Sequence, residues 1–172
     1  APAKVLACIG FAASTSEAYV FGPSTFEVAF KLLTEPETPK VFQNGQFDTY
    51  FLETRHGVAV ANWLHDTMIA FHACWPEIAG KGERGSKKTQ KSLAFLASLF
   101  CEHPRWWKNY DLWETDADMF ELCGRDVCST LEIMQQLETE VEELDVNDVY
   151  RHEMSMLPAL VAMQERGLRV ND

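Results

Sequence analysis

A mixed β-sheet covered by helices, the α/β class, is the fold this sequence predicts. Short apolar runs alternate with longer helical patterns, and turn and capping residues separate them. Of the 172 residues, 47% are hydrophobic, enough to bury a substantial core.

Taken in order, Val5 to Ala12 reads as a strand over residues 4–12, and Ala18-Tyr19-Val20-Phe21 as a second over 17–22, with Glu17 as a turn residue. Ser24 and Glu27 have the spacing of a capping box and open a helix over 25–34. Lys40-Val41-Phe42-Gln43 predicts a strand, followed by a helix over 47–56 that Gly57 ends. A strand over 58–62 and a helix over 67–75, capped by Asp66, come next. Helices over 88–100, 116–139 and 150–166 complete the order, with Glu140 to Asp148 as an acidic connector and Gly167 as the last stop.

Two carboxylates stand out. Met119, Leu122, Cys123, Val127, Thr130, Ile133, Met134 and Leu137 form an apolar stripe at helical spacing, and Asp126 falls inside it. An unpaired buried carboxylate costs several kcal/mol, so Asp126 either turns out to solvent at the stripe's edge or finds a proton, a cation or a metal. Arg125 points about 100° away around the helix and is a poor partner. The second carboxylate is Asp48. Asn44-Gly45-Gln46-Phe47-Asp48 reads as a strand, turn and helix junction, which places Asp48 in a first helical turn, where it either serves the helix dipole or faces a cleft.

Charge and cysteine usage narrow the class. The net charge is −11, but it is polarised: seven of the 15 Lys and Arg lie between Lys81 and Lys108, and 14 of the 26 acids between Asp111 and Glu153. Lys87, Lys88, Arg105 and Lys108, beside Trp106 and Trp107, either track a phosphate backbone with bases stacked on the indoles or form a solvated loop over buried tryptophans. Gly80 to Gly85 fits G-x-G-x-x-G but follows a helix end, which argues against a dinucleotide site. Five scattered cysteines without C-x-x-C point to a reducing compartment and away from structural zinc. No apolar run approaches the roughly 20 residues that cross a membrane, and nothing reads as a signal peptide.

These residues resemble the 3′ to 5′ proofreading exonuclease domain of family A DNA polymerases, within the DnaQ-like superfamily of RNase H-like fold. Gln43-Asn44-Gly45-Gln46-Phe47-Asp48 is similar to the second exonuclease motif, His65-Asp66-Thr67-Met68 to the segment that follows it, and Leu122-Cys123-Gly124-Arg125-Asp126 to the third motif, with Leu122 where that motif has Tyr. Lys91 to Ser98 and Trp106-Trp107-Lys108 resemble phage-type members.

The resemblance implies two-metal hydrolysis of the 3′-terminal phosphodiester of single-stranded DNA, with Mg²⁺ or Mn²⁺ held in part by Asp48 and Asp126. It places Gln43, Asn44, Phe47, Asp66 and Leu122 around them or against the 3′ end, and Lys87, Lys88, Arg105, Trp107 and Lys108 along the DNA. The family's further Asp-x-Glu on a central first strand would precede Ala1. The expectation is therefore an exonuclease domain over 1–145 lacking that strand, cleaving weakly or not at all, and a helix over 146–172 leading toward a polymerase domain in the cytoplasm of a bacterial or phage-infected cell. The alternative is a non-catalytic module of the same fold that binds single-stranded DNA or braces the polymerase.

Overall fold

The computed structural model describes residues 5–78, 91–102 and 115–167. Its elements are β1 (Ile9–Ala12), β2 (Ala18–Phe21), α1 (Phe26–Thr34), β3 (Lys40–Phe42), α2 (Gly45–His56), β4 (Trp63–Asp66), α3 (Thr67–Cys74), α4 (Leu93–Phe100), α5 (Asp116–Glu143) and α6 (Asn147–Arg166). The fold is mixed α/β, as the alternation of patterns predicts, and helix dominates it.

The strands form two separate two-stranded sheets. β1 and β2 make an antiparallel pair in which Ile9 opposes Phe21 and Ala12 opposes Ala18. β3 and β4 run parallel, with an irregularity between Lys40 and Val41. The long helix α5 lies against β1, β2 and β3 on one side. On the other side, Leu33 of α1, Leu52 of α2 and Val58 gather Ile9, Phe11 and Phe42. Strand alternation explains how β1 serves both: Ile9 and Phe11 face α1 and α2, while Gly10 faces α5. A Cβ on Gly10 would lie 2.8 Å from the Cys123 sulfur and 3.1 Å from Val127 Cγ1, so the close approach requires glycine.

The main core sits under the C-terminal half of α5. Ile133, Met134, Leu137 and Val141 meet Ala70, Phe71 and Ala73 of α3, Leu96 and Ala97 of α4, and Tyr150 of α6. Phe71 has its ring 5.1 Å from Trp75, and Phe95 and Phe100 approach it edge-on. Helix α6 buries Tyr150, Leu157 and Val161 against its neighbours.

Several boundaries differ from expectation for physical reasons. The first strand pairs only over Ile9–Ala12, because β2 is four residues long and offers no partner to residues 5–8. The Ser24 and Glu27 capping box does not form. Pro23 starts a 3-10 turn over Pro23–Thr25, the Thr25 hydroxyl donates to the Gly22 carbonyl at 3.0 Å, and α1 begins at Phe26 without a side-chain cap. The strand expected over 58–62 lies at Trp63–Asp66: Val58 and Val60 are spent on the apolar cluster, and the hydrogen bonds to β3 start with Lys40 N–H to the Asn62 carbonyl. The fourth helix begins at Leu93 among the described residues, with Ser92 accepting from Phe95 N–H. Helix α5 runs to Glu143, beyond the expected 139, since Val141 is buried and glutamates are good helix formers on the wet face. The acidic connector shrinks to Leu144–Val146, and α6 begins at Asn147 instead of 150. Gly57 and Gly167 do end their helices, at φ +65° and +67°, and Glu17 does sit in the β1–β2 turn, its carbonyl accepting from Ala13 N–H at 2.9 Å.

Ile133 is fully buried at the centre of the core, whereas Met163 is 61% exposed. Ile133→Ala is expected to cost about 2–5 kcal/mol in urea unfolding, and Met163→Ala to stay within about 0.5 kcal/mol. Equal losses at the two positions would contradict this placement of the core.

Candidate functional site

Asn44 begins the site. It follows β3 in the left-handed conformation, φ 59° and ψ 42°, and turns the chain directly into α2. Gly45 must follow, since a Cβ there would lie 2.5 Å from that of Phe42 and 2.8 Å from the Trp63 ring. Asp66 holds the turn. Its carboxylate accepts from Gly45 N–H at 2.7 Å and Asn44 N–H at 3.1 Å, and on the other side from Met68 N–H at 2.9 Å and Ile69 N–H at 3.4 Å. One buried side chain therefore caps α3, as its position before Thr67 predicts, and also fixes the start of α2. Burial pushes the Asp66 carboxyl up, and the four backbone donors pull the other way.

This arrangement places Asp48 in the first turn of α2. Its carboxyl reaches solvent, but protein crowds it, and lost hydration followed by the Asp66 charge pushes it up to about 6. Asp126 is half-buried on α5, inside the stripe the sequence displays. Both carboxylates are felt at one thiol. Cys123, one turn before Asp126, is pushed up to about 12 by burial first, then by the neighbouring Cys8 thiol with which it hydrogen-bonds, and then by the charges of Asp126 and Asp48. Neither Cys8 nor its pairing with Cys123 is signalled by any spacing in the sequence. All five cysteines are free.

The remaining expected residues divide. Gln43 is held on both ends of its amide, donating to the Lys91 carbonyl at 2.9 Å and accepting from the Thr67 hydroxyl. It therefore ties β3 to the segment before α4. Phe47 is 46% exposed beside Asp48. Leu122 is half-buried against the apolar core and brings no polar atom to the carboxylates. Arg125 binds Glu121, one turn back on α5, at 2.6 and 3.0 Å. Lys87, Lys88, Arg105, Trp107 and Lys108, together with the glycine-rich run over 80–85, lie outside the described residues.

Behind Asp66 stands a network that sequence reasoning missed. Tyr150 Oη accepts from Asp66 N–H at 3.2 Å and lies 3.1 Å from His65 Nδ1, and His65 Nε2 is 3.7 Å from a Glu138 carboxylate oxygen. It joins β4, α6 and α5. Burial pushes the Tyr150 hydroxyl above its usual range and His65 below its own. A cavity of about 420 Å³ lies elsewhere, between the β1–β2 turn at Thr15 and Ser16 and the α5 face of Glu121, Arg125 and Cys128, and neither Asp48 nor Asp126 lines it.

Among the described residues, no group of three His, Cys, Asp or Glu side chains is placed to hold an ion, and no helix is long and apolar enough to cross a membrane. No protein-family model matches the chain, and no curated protein is significantly similar to it.

Because Asp48 binds its proton more tightly in the folded chain than the ordinary value of 3.8, the folded state carries the extra proton between pH 3.8 and about 6. Its contribution to stability is thus largest below that window and is lost as pH rises through it. Carbon-detected NMR titration of the Asp48 carboxyl is expected to give a midpoint near 6, moving down in Asp66→Asn because a neighbouring negative charge is gone. An ordinary midpoint, or one unmoved by Asp66→Asn, would refute the coupling.

Proposed function

We propose that this chain is a 3′ to 5′ exonuclease domain of RNase H-like fold, of the kind that proofreads for family A DNA polymerases, acting on the 3′ end of single-stranded DNA. What supports the reading is that Asp48 and Asp126, far apart in sequence and on different helices, are both near enough to Cys123 for their charges to add to the burial that raises its thiol. Carboxylates that raise their neighbours' proton affinity form a negative site, which a divalent cation relieves.

The donor set fits a hard cation in part. Mg²⁺ and Mn²⁺ take oxygen ligands and are commonly held by one or two carboxylates together with substrate phosphate oxygens, so Asp48 and Asp126 suit the role. Such ions, held by Asp48 and Asp126, would draw negative charge from the scissile phosphodiester and acidify a nearby water. The chain's own residues do the rest. Asp66 orients the first turn of α2 and with it Asp48, Gln43 braces β3 below, and Phe47 offers a ring beside the carboxylate. DNA contacts by Lys87, Lys88, Arg105, Trp107 and Lys108, and a polymerase partner, belong to this proposal.

A second reading draws on Leu122. A non-catalytic module of the same fold, binding single-stranded DNA or bracing a polymerase, needs no hydroxyl to orient water, and the side chain one turn before Asp126 is an aliphatic group packed toward the core.

Mn²⁺ binding, followed by electron paramagnetic resonance with a short oligodeoxythymidine present, tests the carboxylate pair. Asp48→Asn and Asp126→Asn are each expected to weaken it about tenfold or more, and unchanged binding in both would sink the metal site. Release of nucleotides from a 3′-labelled strand then separates the readings. Release that both substitutions abolish supports the exonuclease, and Mn²⁺ binding without release supports the non-catalytic module.

A further inference from the structure

Helix α2 carries an apolar face on the side where a surface helix is ordinarily polar. Its buried residues, Gly45, Thr49 and Leu52, cluster on one side. At 100° per residue, Phe47, Tyr50, Phe51 and Thr54 fall on the opposite side, with Arg55 at its edge and Asp48 beside Arg55. These five residues, Phe47 through Arg55, line an open groove of about 280 Å³ that runs roughly 12 Å along the helix. The His56 ring, 5.7 Å from Phe51 on one side and 5.7 Å from Phe30 of α1 on the other, links the groove to α1.

The lining says what chemistry fits. Aromatic rings at i, i+3 and i+4, Phe47 exposed and Tyr50 and Phe51 half-buried, line the groove and can meet a flat ligand. The Thr54 hydroxyl is committed to the Tyr50 carbonyl at 2.7 Å, so it makes no competing demand. Arg55 has no carboxylate within ion-pair distance among the described residues, in a chain of net charge −11. Its place in the last turn of α2 suits the helix dipole, and its guanidinium remains able to take an anion. A flat aromatic group joined to a phosphate meets both requirements.

We propose that this groove is a nucleotide-binding subsite, in which Tyr50 and Phe51 stack on one base of a single strand and Arg55 contacts the adjoining phosphate. The subsite rests on the single-strand reading above and extends it along α2 beyond the 3′ end. Phe47 stands between the two, beside Asp48 and at the mouth of the groove. Because the contacts are stacking and one phosphate, the subsite takes any base.

The test is fluorescence anisotropy of a labelled dT8 without divalent metal, using the whole chain, Tyr50→Ala, Arg55→Gln and, as a control for general charge, Arg151→Gln on α6. Circular dichroism checks that each variant is folded. Tyr50→Ala and Arg55→Gln are each expected to weaken dT8 binding about tenfold, the scale of losing one stacked base or a paired phosphate, with Arg151→Gln near wild type. An abasic strand of the same length is expected to bind as weakly to the wild type as dT8 does to Tyr50→Ala, and free dTMP to displace dT8 only at far higher concentration. Wild-type affinity in both groove variants, equal weakening by Arg151→Gln, or full-strength binding of the abasic strand would each overturn the subsite. Those outcomes leave Mn²⁺ binding at Asp48 and Asp126 standing, so the failure of this inference is distinguishable from that of the exonuclease reading. Displacement by equimolar dTMP would also overturn it, in favour of a free-nucleotide site.

Discussion

The carboxylate of Asp66 is the constraint on which the site depends. It is 1% exposed, and its two oxygens satisfy four backbone N–H groups from two helix starts. Unmet buried donors each cost about 1–3 kcal/mol, so removing this side chain threatens two helix entries at once. Through Asn44 and Gly45 it sets where α2 begins, and thus where Asp48 points. Through its own N–H it receives Tyr150, which brings α6 against β4. The parallel pairing of β3 with β4, where Phe42 meets Asp66, supplies the register that brings Asn44 and Gly45 N–H to the carboxylate.

Helix α5 supplies the second half of the logic by serving two environments. Its C-terminal half is a core helix whose Ile133, Met134, Leu137 and Val141 are sealed by α3, α4 and α6. Its N-terminal half, from Met119 to Val127, is only half-buried under β1 and β2, and Asp126 lies there. A carboxylate is tolerable at that point because water still reaches it, which resolves the conflict between a charged side chain and an apolar stripe. The same opening lets charge from α2 and α5 meet around Cys123. Helix α2 repeats the pattern on a smaller scale, with Gly45, Thr49 and Leu52 buried and an aromatic side that is only partly covered.

Helix existence and type were largely legible in the sequence. The stripe of α5, the αL glycines after α2 and α6, the capping Asp66 and the strand, turn and helix order at Asn44 depend on neighbours within a few residues, and local sequence encodes them. Asp48 and Asp126 were both visible as carboxylates out of keeping with their surroundings, and the resemblance rests on the same residues. The strand boundaries were less legible, because a strand needs a partner: Val58 to Ala61 are as apolar as β4 but bond to no strand, and residues 5–8 find no mate.

The sequence by itself thus determined the α/β class, the helices and the two candidate carboxylates, because helical periodicity, caps and turn glycines act over one or two turns of chain. Only the tertiary structure decided that Asp66 would hold both α2 and α3, that Tyr150 would reach back to β4, and that Cys8 would meet Cys123. Those contacts join residues dozens of positions apart. Their geometry follows from the register of β3 on β4 and from the packing of α5 across both sheets, neither of which any local pattern specifies.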